Sequence, residues 1–318
     1  MRRRLLLQGA AALALATSPA LRAAEGAAGF DTLDLDWTDT ARQRPVPVRL
    51  HLPQQATKAR PTPLFVISHG IGGSRGGYSW LGRHLASQGI ACLHLQHVGS
   101  DRSLWGGSVL GLVGRLQAAA QDEEALARTE DFRFALDTLL TSEAGERIDV
   151  RRIVATGHSY GANTSLLVAG AQVQREGQPL LLVDPRVAAV VVLSAPPFYG
   201  QGEPGDILGN VKVPSLHITC TEDVIRIPGY WSDLADRLRV YEAIGSRRKW
   251  LAVFQGGAHS MFTDRNGPGG ALNPQAKRAS QALVTAFMHA VFEGDERALT
   301  AWPGQHADIL ARFQGPTA

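Results

Sequence analysis

Residues 151–170 read Arg151-Arg152-Ile153-Val154-Ala155-Thr156-Gly157-His158-Ser159-Tyr160-Gly161-Ala162-Asn163-Thr164-Ser165-Leu166-Leu167-Val168-Ala169-Gly170. The run 152–156 predicts a buried strand and 162–170 a helix, with Gly157-His158-Ser159-Tyr160-Gly161 as the turn between them. A serine in so abrupt a turn takes a strained backbone conformation, and glycines two residues to either side leave room for it while the hydroxyl stands clear of the fold. The pattern G-x-S-x-G is that of a nucleophile elbow. This composition yields about 0.2 chance matches per chain, so the setting must decide. A second match, Gly72-Gly73-Ser74-Arg75-Gly76, also lies between a predicted strand (63–68) and helix (79–88), but a loose glycine-rich stretch separates Ser74 from its strand. Ser159 follows its strand almost directly and is the expected nucleophile. The competing role for such a serine is to cap its helix.

Outward from the elbow the chain alternates. Continuous apolar runs at 64–67, 90–95, 187–194, 213–219 and 250–254 read as strands covered on both faces, and 79–88, 122–140 and 277–292 carry helical patterns. Two earlier segments, 33–37 and 46–52, alternate apolar and polar residues. Their prolines put them near a sheet edge, paired antiparallel. Strands alternating with helices predict an α/β fold, a mostly parallel sheet with helices on both faces, in one catalytic domain spanning 25–318. Ligands of such sheets bind beyond the carboxyl ends of the strands.

Those strand ends carry the chemistry. His69-Gly70-Ile71-Gly72-Gly73 follows one strand, and its backbone can turn N–H groups toward a developing oxyanion; the expected pair of donors is Ile71 N–H and Tyr160 N–H. Thr221-Glu222-Asp223 follows another strand, and Gln255-Gly256-Gly257-Ala258-His259 a third. A serine hydroxyl needs a base to take its proton, and the imidazole needs a carboxylate to orient it and to stabilise its charged form. Ser159, Asp223 and His259 occur in the chain order expected of this fold. Glu222 would point away from the site if its strand continued, and Asp206 lies well past its strand. Of the other histidines, His158 is expected to support the elbow and His69 to brace the glycine-rich loop. Phe198 and Tyr199 follow a strand and are candidate substrate contacts. Trp105, within the glycine-punctuated segment 96–121, is a candidate cover.

Composition bounds the rest. With 44% hydrophobic and 19% charged residues the chain has the make-up of a globular protein with a large core. The calculated pI of 9.1 would suggest a nucleic-acid partner, but Met1-Arg2-Arg3-Arg4, the apolar run 5–16 and the small residues to Ala24 read as an export signal, too short to span a membrane. Its arginines resemble a twin-arginine signal, and a general secretory signal stays open. Without residues 1–24 there are 28 basic and 29 acidic side chains. The expectation is therefore a periplasmic or extracellular protein with no nucleic-acid partner, no membrane span, and no metal or organic cofactor; the oligomeric state is unread.

The segments Phe65-Val66-Ile67-Ser68-His69-Gly70, Gly157-His158-Ser159-Tyr160-Gly161, Pro214-Ser215-Leu216-His217-Ile218 through Asp223, and Gly256-Gly257-Ala258-His259 resemble the α/β-hydrolase superfamily. Trp80-Leu81-Gly82, Leu85-Ala86-Ser87-Gln88-Gly89, Asp131-Phe132-Arg133-Phe134-Ala135-Leu136-Asp137 and Phe292-Glu293-Gly294-Asp295 are similar to its dienelactone-hydrolase-like branch, close to the platelet-activating-factor acetylhydrolase and polyester-hydrolase (cutinase-like) groups. The resemblance implies an eight-stranded sheet and puts Cys92 and Cys220 on strands several positions apart, out of disulfide range. Dienelactone hydrolase proper uses a cysteine where Ser159 stands, and polyester hydrolases usually carry an aromatic at the place of Ile71 and a methionine at that of Tyr160. The function expected is a serine carboxylic-ester hydrolase working through an acyl-enzyme on short or medium acyl esters. An amidase or peptidase, an acyltransferase, a polyester hydrolase and a non-catalytic binding protein stay open as alternatives.

Overall fold

The computed structural model describes residues 29–108, 110–227, 229–264 and 272–316. The proposed export signal, residues 1–24, lies outside them. Nine strands form one sheet: β1 (Phe30–Asp39), β2 (Arg44–Pro53), β3 (Thr62–Ser68), β4 (Ala91–Leu95), β5 (Ile148–His158), β6 (Val187–Leu193), β7 (Ser215–Cys220), β8 (Lys249–Phe254) and β9 (Leu310–Gln314). Their spatial order is β1-β2-β4-β3-β5-β6-β7-β8-β9. The six strands from β4 to β8 run parallel, whereas β1, β2 and β9 pair antiparallel at the edges. This is an α/β-hydrolase fold, with one strand more than the eight expected. The extra strand, Leu-Ala-Arg-Phe-Gln, is only half covered, as an edge strand is, and so lacks the continuous apolar run that marks the central ones.

Those continuous runs arise because successive residues feed two separate cores. In β3, Leu64 and Val66 join Phe132, Leu136 and Leu166 on one face. Phe65 and Ile67 join Leu81, Leu85, Leu283 and Phe287 on the other. Helices α1 (Ser79–Ser87), α7 (Leu272–Phe292) and α8 (Arg297–Gln305) cover the second face, and α3 (Asp122–Leu140) and α4 (Tyr160–Val168) the first. The remaining helices are α2 (Leu112–Ala119), α5 (Pro204–Leu208) and α6 (Leu234–Ala243), the last two adding Ile207, Leu208 and Val240 to the first core. Helix α3 opens with Asp122, Glu123 and Glu124, which complement its dipole. Asp233 and Asp236 form a capping box on α6.

The free thiols of Cys92 and Cys220 are buried on β4 and β7, four strand steps or about 19 Å apart. No helix among the described residues is long and apolar enough to cross a membrane. Strands β5, β6, β7 and β8 are consecutive neighbours, so the loops that leave their carboxyl ends converge on one rim.

Candidate active site

At the end of β5 the backbone turns sharply at Ser159, whose φ of 55° and ψ of −124° lie in a region that side-chain-bearing residues rarely occupy. The flanking glycines are demanded by crowding. A Cβ on Gly157 would sit 2.1 Å from the Gly161 carbonyl oxygen, and one on Gly161 2.0 Å from that of Ser68. The Ser159 N–H is fastened to Leu193 O of β6 at 3.0 Å. Its hydroxyl makes no capping bond to α4; it meets His259 Nε2 at 2.8 Å instead. Ser74 is placed differently: its hydroxyl accepts the Gly76 N–H at 3.3 Å within its own turn.

His259 begins a short 3-10 turn beyond β8, and its Nδ1 lies 2.7 Å from Asp223 Oδ1. Asp223 is fully buried beyond β7. Its Oδ2 accepts from Thr219 Oγ1 at 2.6 Å, and Arg237 Nη2 of α6 donates to Oδ1 at 3.3 Å. Burial alone would raise the Asp223 carboxyl, but the His259 hydrogen bond and the Arg237 guanidinium outweigh it and hold the group well below the usual carboxylate range. The acid is thus charged and fixed, as a group orienting an imidazole must be.

The glycine-rich loop after β3 is held at almost every peptide. Arg128 Nη2 donates to His69 O. Gly70 N–H donates to Tyr78 Oη at 3.1 Å, and Gly70 O accepts from His69 Nδ1 and from Gly73 N–H. Gly72 N–H donates to Ser100 O at 2.8 Å, and Gly72 O accepts from Trp105 Nε1 at 2.7 Å. Among the described residues the amides of Gly70, Gly72 and Gly73 are therefore consumed, while that of Ile71 has no backbone partner. Tyr160 N–H, at the first position of α4, is one of the donors a helix start leaves unpaired. Both amides border the cleft that Ser159 opens into.

That cleft has a volume of about 380 Å³. Ile71, Ser159, Tyr160, Leu116 and Leu167 line it, with Phe198 and Tyr199 beyond β6 and Ile225, Ile227 and Tyr230 of a short hairpin that packs against Tyr199. Several of its polar groups are already committed: Asn163 Nδ2 donates to Pro196 O, Tyr199 Oη to Ser232 Oγ, and Gln121 Nε2 to Gln117 O. Trp105 does not border the cleft. Its indole lies against Gly72 and braces the glycine-rich loop from outside. Helix α2, from the same 96–121 segment, supplies the wall there through Leu116.

Four residues of this site did not stand out in the sequence: Thr219, Arg237, Tyr78 and Arg128. Arg128 left a signal, because it lies four residues before Phe132 and eight before Leu136, on the apolar face of α3. His158 and His69 brace the elbow and the loop, as their positions suggested.

No curated protein matches the chain. Residues 45–125, about a quarter of it, match the family model described as platelet-activating factor acetylhydrolase, isoform II. The match supports a hydrolase of the esterase or phospholipase type. With its parallel sheet, strand order and this match, the chain has an α/β-hydrolase fold and is similar over residues 45–125 to the platelet-activating factor acetylhydrolase isoform II family, itself of the α/β-hydrolase superfamily.

Proposed function

We propose that the protein is a serine carboxylic-ester hydrolase. His259, oriented by Asp223, takes the proton of Ser159 as its Oγ attacks the ester carbonyl. The oxyanion is held by the N–H groups of Ile71 and Tyr160, and His259 then protonates the departing alcohol. Water, deprotonated by the same imidazole, attacks the acyl-enzyme, and the acid leaves with Ser159 restored. The observation that carries this reading is the unbroken line from Asp223 Oδ1 through His259 to Ser159 Oγ, at 2.7 and 2.8 Å.

The cleft supports an uncharged acyl or alkyl group, since its wall is mainly apolar and the side-chain amides of Asn163 and Gln121 are already paired. A family named for an acetylhydrolase also points to a short acyl group. Export by residues 1–24, into the periplasm or beyond, belongs to the same proposal. The test is hydrolysis of nitrophenyl esters from acetate to decanoate by the wild type and Ser159→Ala. The wild type is expected to turn over the shorter esters, and Ser159→Ala to lose on the order of 10⁴-fold or more in kcat. Comparable turnover by the two proteins would overturn the assignment.

A further inference from the structure

Arg128 is fully buried on α3, and its three hydrogen bonds all go to neutral acceptors. Nε donates to Thr164 Oγ1 of α4 at 2.9 Å, Nη1 to Ser100 Oγ at 2.8 Å, and Nη2 to the carbonyl oxygen of His69. Its guanidinium carbon lies 4.5 Å from the centroid of the Tyr160 ring. The carboxylate of Glu124 is met only at one remove, through the Ser100 hydroxyl, which donates to Oε1 at 2.7 Å. A buried guanidinium without a directly bonded acid is an expensive group to retain, and a neutral side chain of similar volume would fill the same space.

From this arrangement we infer that Arg128 is a positioning residue for the oxyanion hole. It locks the loop carrying Ile71 N–H to the helix start carrying Tyr160 N–H, and adds a fixed positive charge beneath both. One fork of this side chain grips the peptide two residues before Ile71. Another grips α4, and its face carries the Tyr160 ring. The two amide donors come from separate strand ends, so a shift of either loop spoils the pair, and rigid placement of such donors is what makes them effective. The fixed charge acts in the same direction, because negative charge appears at this site only as the tetrahedral species forms. Arginine suits the task better than lysine, since its planar fork reaches three acceptors at once.

This inference rests on the proposed ester hydrolysis, and the experiment separates the two. Arg128→Met and Arg128→Lys are compared with the wild type in kcat per active site, counted by the acylation burst, in KM on nitrophenyl butyrate, and in Ki for a trifluoromethyl ketone that binds Ser159 as an alkoxide. Arg128→Met is expected to lose on the order of 10²-fold in kcat per titrated site, with KM within about threefold and with Ki weakened in parallel with kcat. Arg128→Lys, which keeps the charge and loses the fork, is expected to fall between. A scaffolding role alone would lower the number of titratable sites and the melting temperature while leaving kcat per site and Ki unchanged, and that result overturns the inference. If Arg128→Met does not fold, Arg128→Lys decides: a loss of about tenfold in kcat per site with a parallel loss in Ki supports it, and full turnover per site overturns it. Retained activity in Ser159→Ala would remove the proposed function itself, independently of either Arg128 variant.

Discussion

His158 Nε2 lies 2.9 Å from the backbone carbonyl oxygen of His259, so the residue beside Ser159, the proposed nucleophile, holds the peptide of the proposed base. A carbonyl only accepts, so Nε2 carries the hydrogen and Nδ1 is left to accept from Tyr78 Oη at 2.9 Å. That hydroxyl in turn accepts the Gly70 N–H. The chain Gly70, Tyr78, His158, His259 thus joins the glycine-rich loop to the proposed base through two side chains. His158→Phe is expected to lower kcat by about 10- to 100-fold with a small change in KM, since misplacing a catalytic group by about 1 Å costs that order. Tyr78→Phe leaves the Gly70 amide unsatisfied, and should lower stability by about 1–3 kcal/mol with a smaller effect on kcat. Unaltered kcat in His158→Phe would show that His259 is held by other means.

A second serine, histidine and aspartate line up in this protein. Ser68 Oγ lies 3.0 Å from His97 Nε2, and His97 Nδ1 lies 3.1 Å from Asp131 Oδ2. These distances differ little from those around Ser159, yet all three side chains are buried and Asp131 is already bonded to Arg44. Ser68 ends a regular strand, with no strained elbow to present its hydroxyl, and its side chain is closed off from solvent. A fluorophosphonate probe is therefore expected to modify Ser159 and neither Ser68 nor Ser74, with peptide mass spectrometry locating the adduct. Full labelling of Ser159→Ala would place the nucleophile elsewhere.

The two sites also mark how far the sequence can be read. The elbow was legible because Gly157 and Gly161 leave a signature in adjacent residues, and His259 and Asp223, the proposed base and acid, because each follows an apolar run at a strand end. Arg128 and Tyr78 act through contacts made across the fold, 59 residues from Arg128 to His69 and 80 from Tyr78 to His158, and such pairings leave no local spacing to find. The last strand escaped notice for a different reason: an edge strand with one covered side carries too few apolar residues to announce itself. Trp105 illustrates a third limit, since an exposed aromatic near a glycine-rich loop can line a cleft or, as here, brace the loop from behind.

Acid should destabilise this fold well above the range of ordinary carboxylates. Burial pushes the imidazoles of His94, His158 and His217 down to about 3, and those of His51 and His97 to about 4. In the unfolded chain each titrates near ~6.5. Their contribution to stability is complete above that value and is lost as the pH falls toward 3 to 4, because the unfolded chain binds protons that the folded one refuses. The cost approaches about 1.4 kcal/mol per pH unit for each imidazole. Asp223, held low, begins to matter only below ~3.9, so it enters after the histidines. Urea unfolding at pH 7.5, 6 and 5 is expected to show a falling free energy with uptake of several protons. In His217→Leu, which removes a ring whose Nε2 has no hydrogen-bond partner among the described residues, that uptake should drop by about one. A free energy unchanged from pH 7.5 to 5 would contradict the neutral, buried state of these rings.

Acyl length should be set by the wall that α3 presents to the cleft. Ala125 is half-buried and lines it together with Leu116, Ala120 and Leu167. A larger side chain there fills space that only longer acyl or alkyl groups reach, and leaves Ser159, His259 and the two amide donors untouched. Each methylene denied an apolar wall forfeits about 0.8 kcal/mol, or roughly fourfold in kcat/KM. Ala125→Trp is therefore expected to keep nitrophenyl acetate hydrolysis within about threefold of wild type while lowering kcat/KM on the octanoate by at least tenfold. If the acetate and the octanoate lose equally, the substitution has disturbed the elbow rather than the pocket. If neither changes, the long chain leaves the cleft by another route, and the wall at Ala125 is not where the substrate lies.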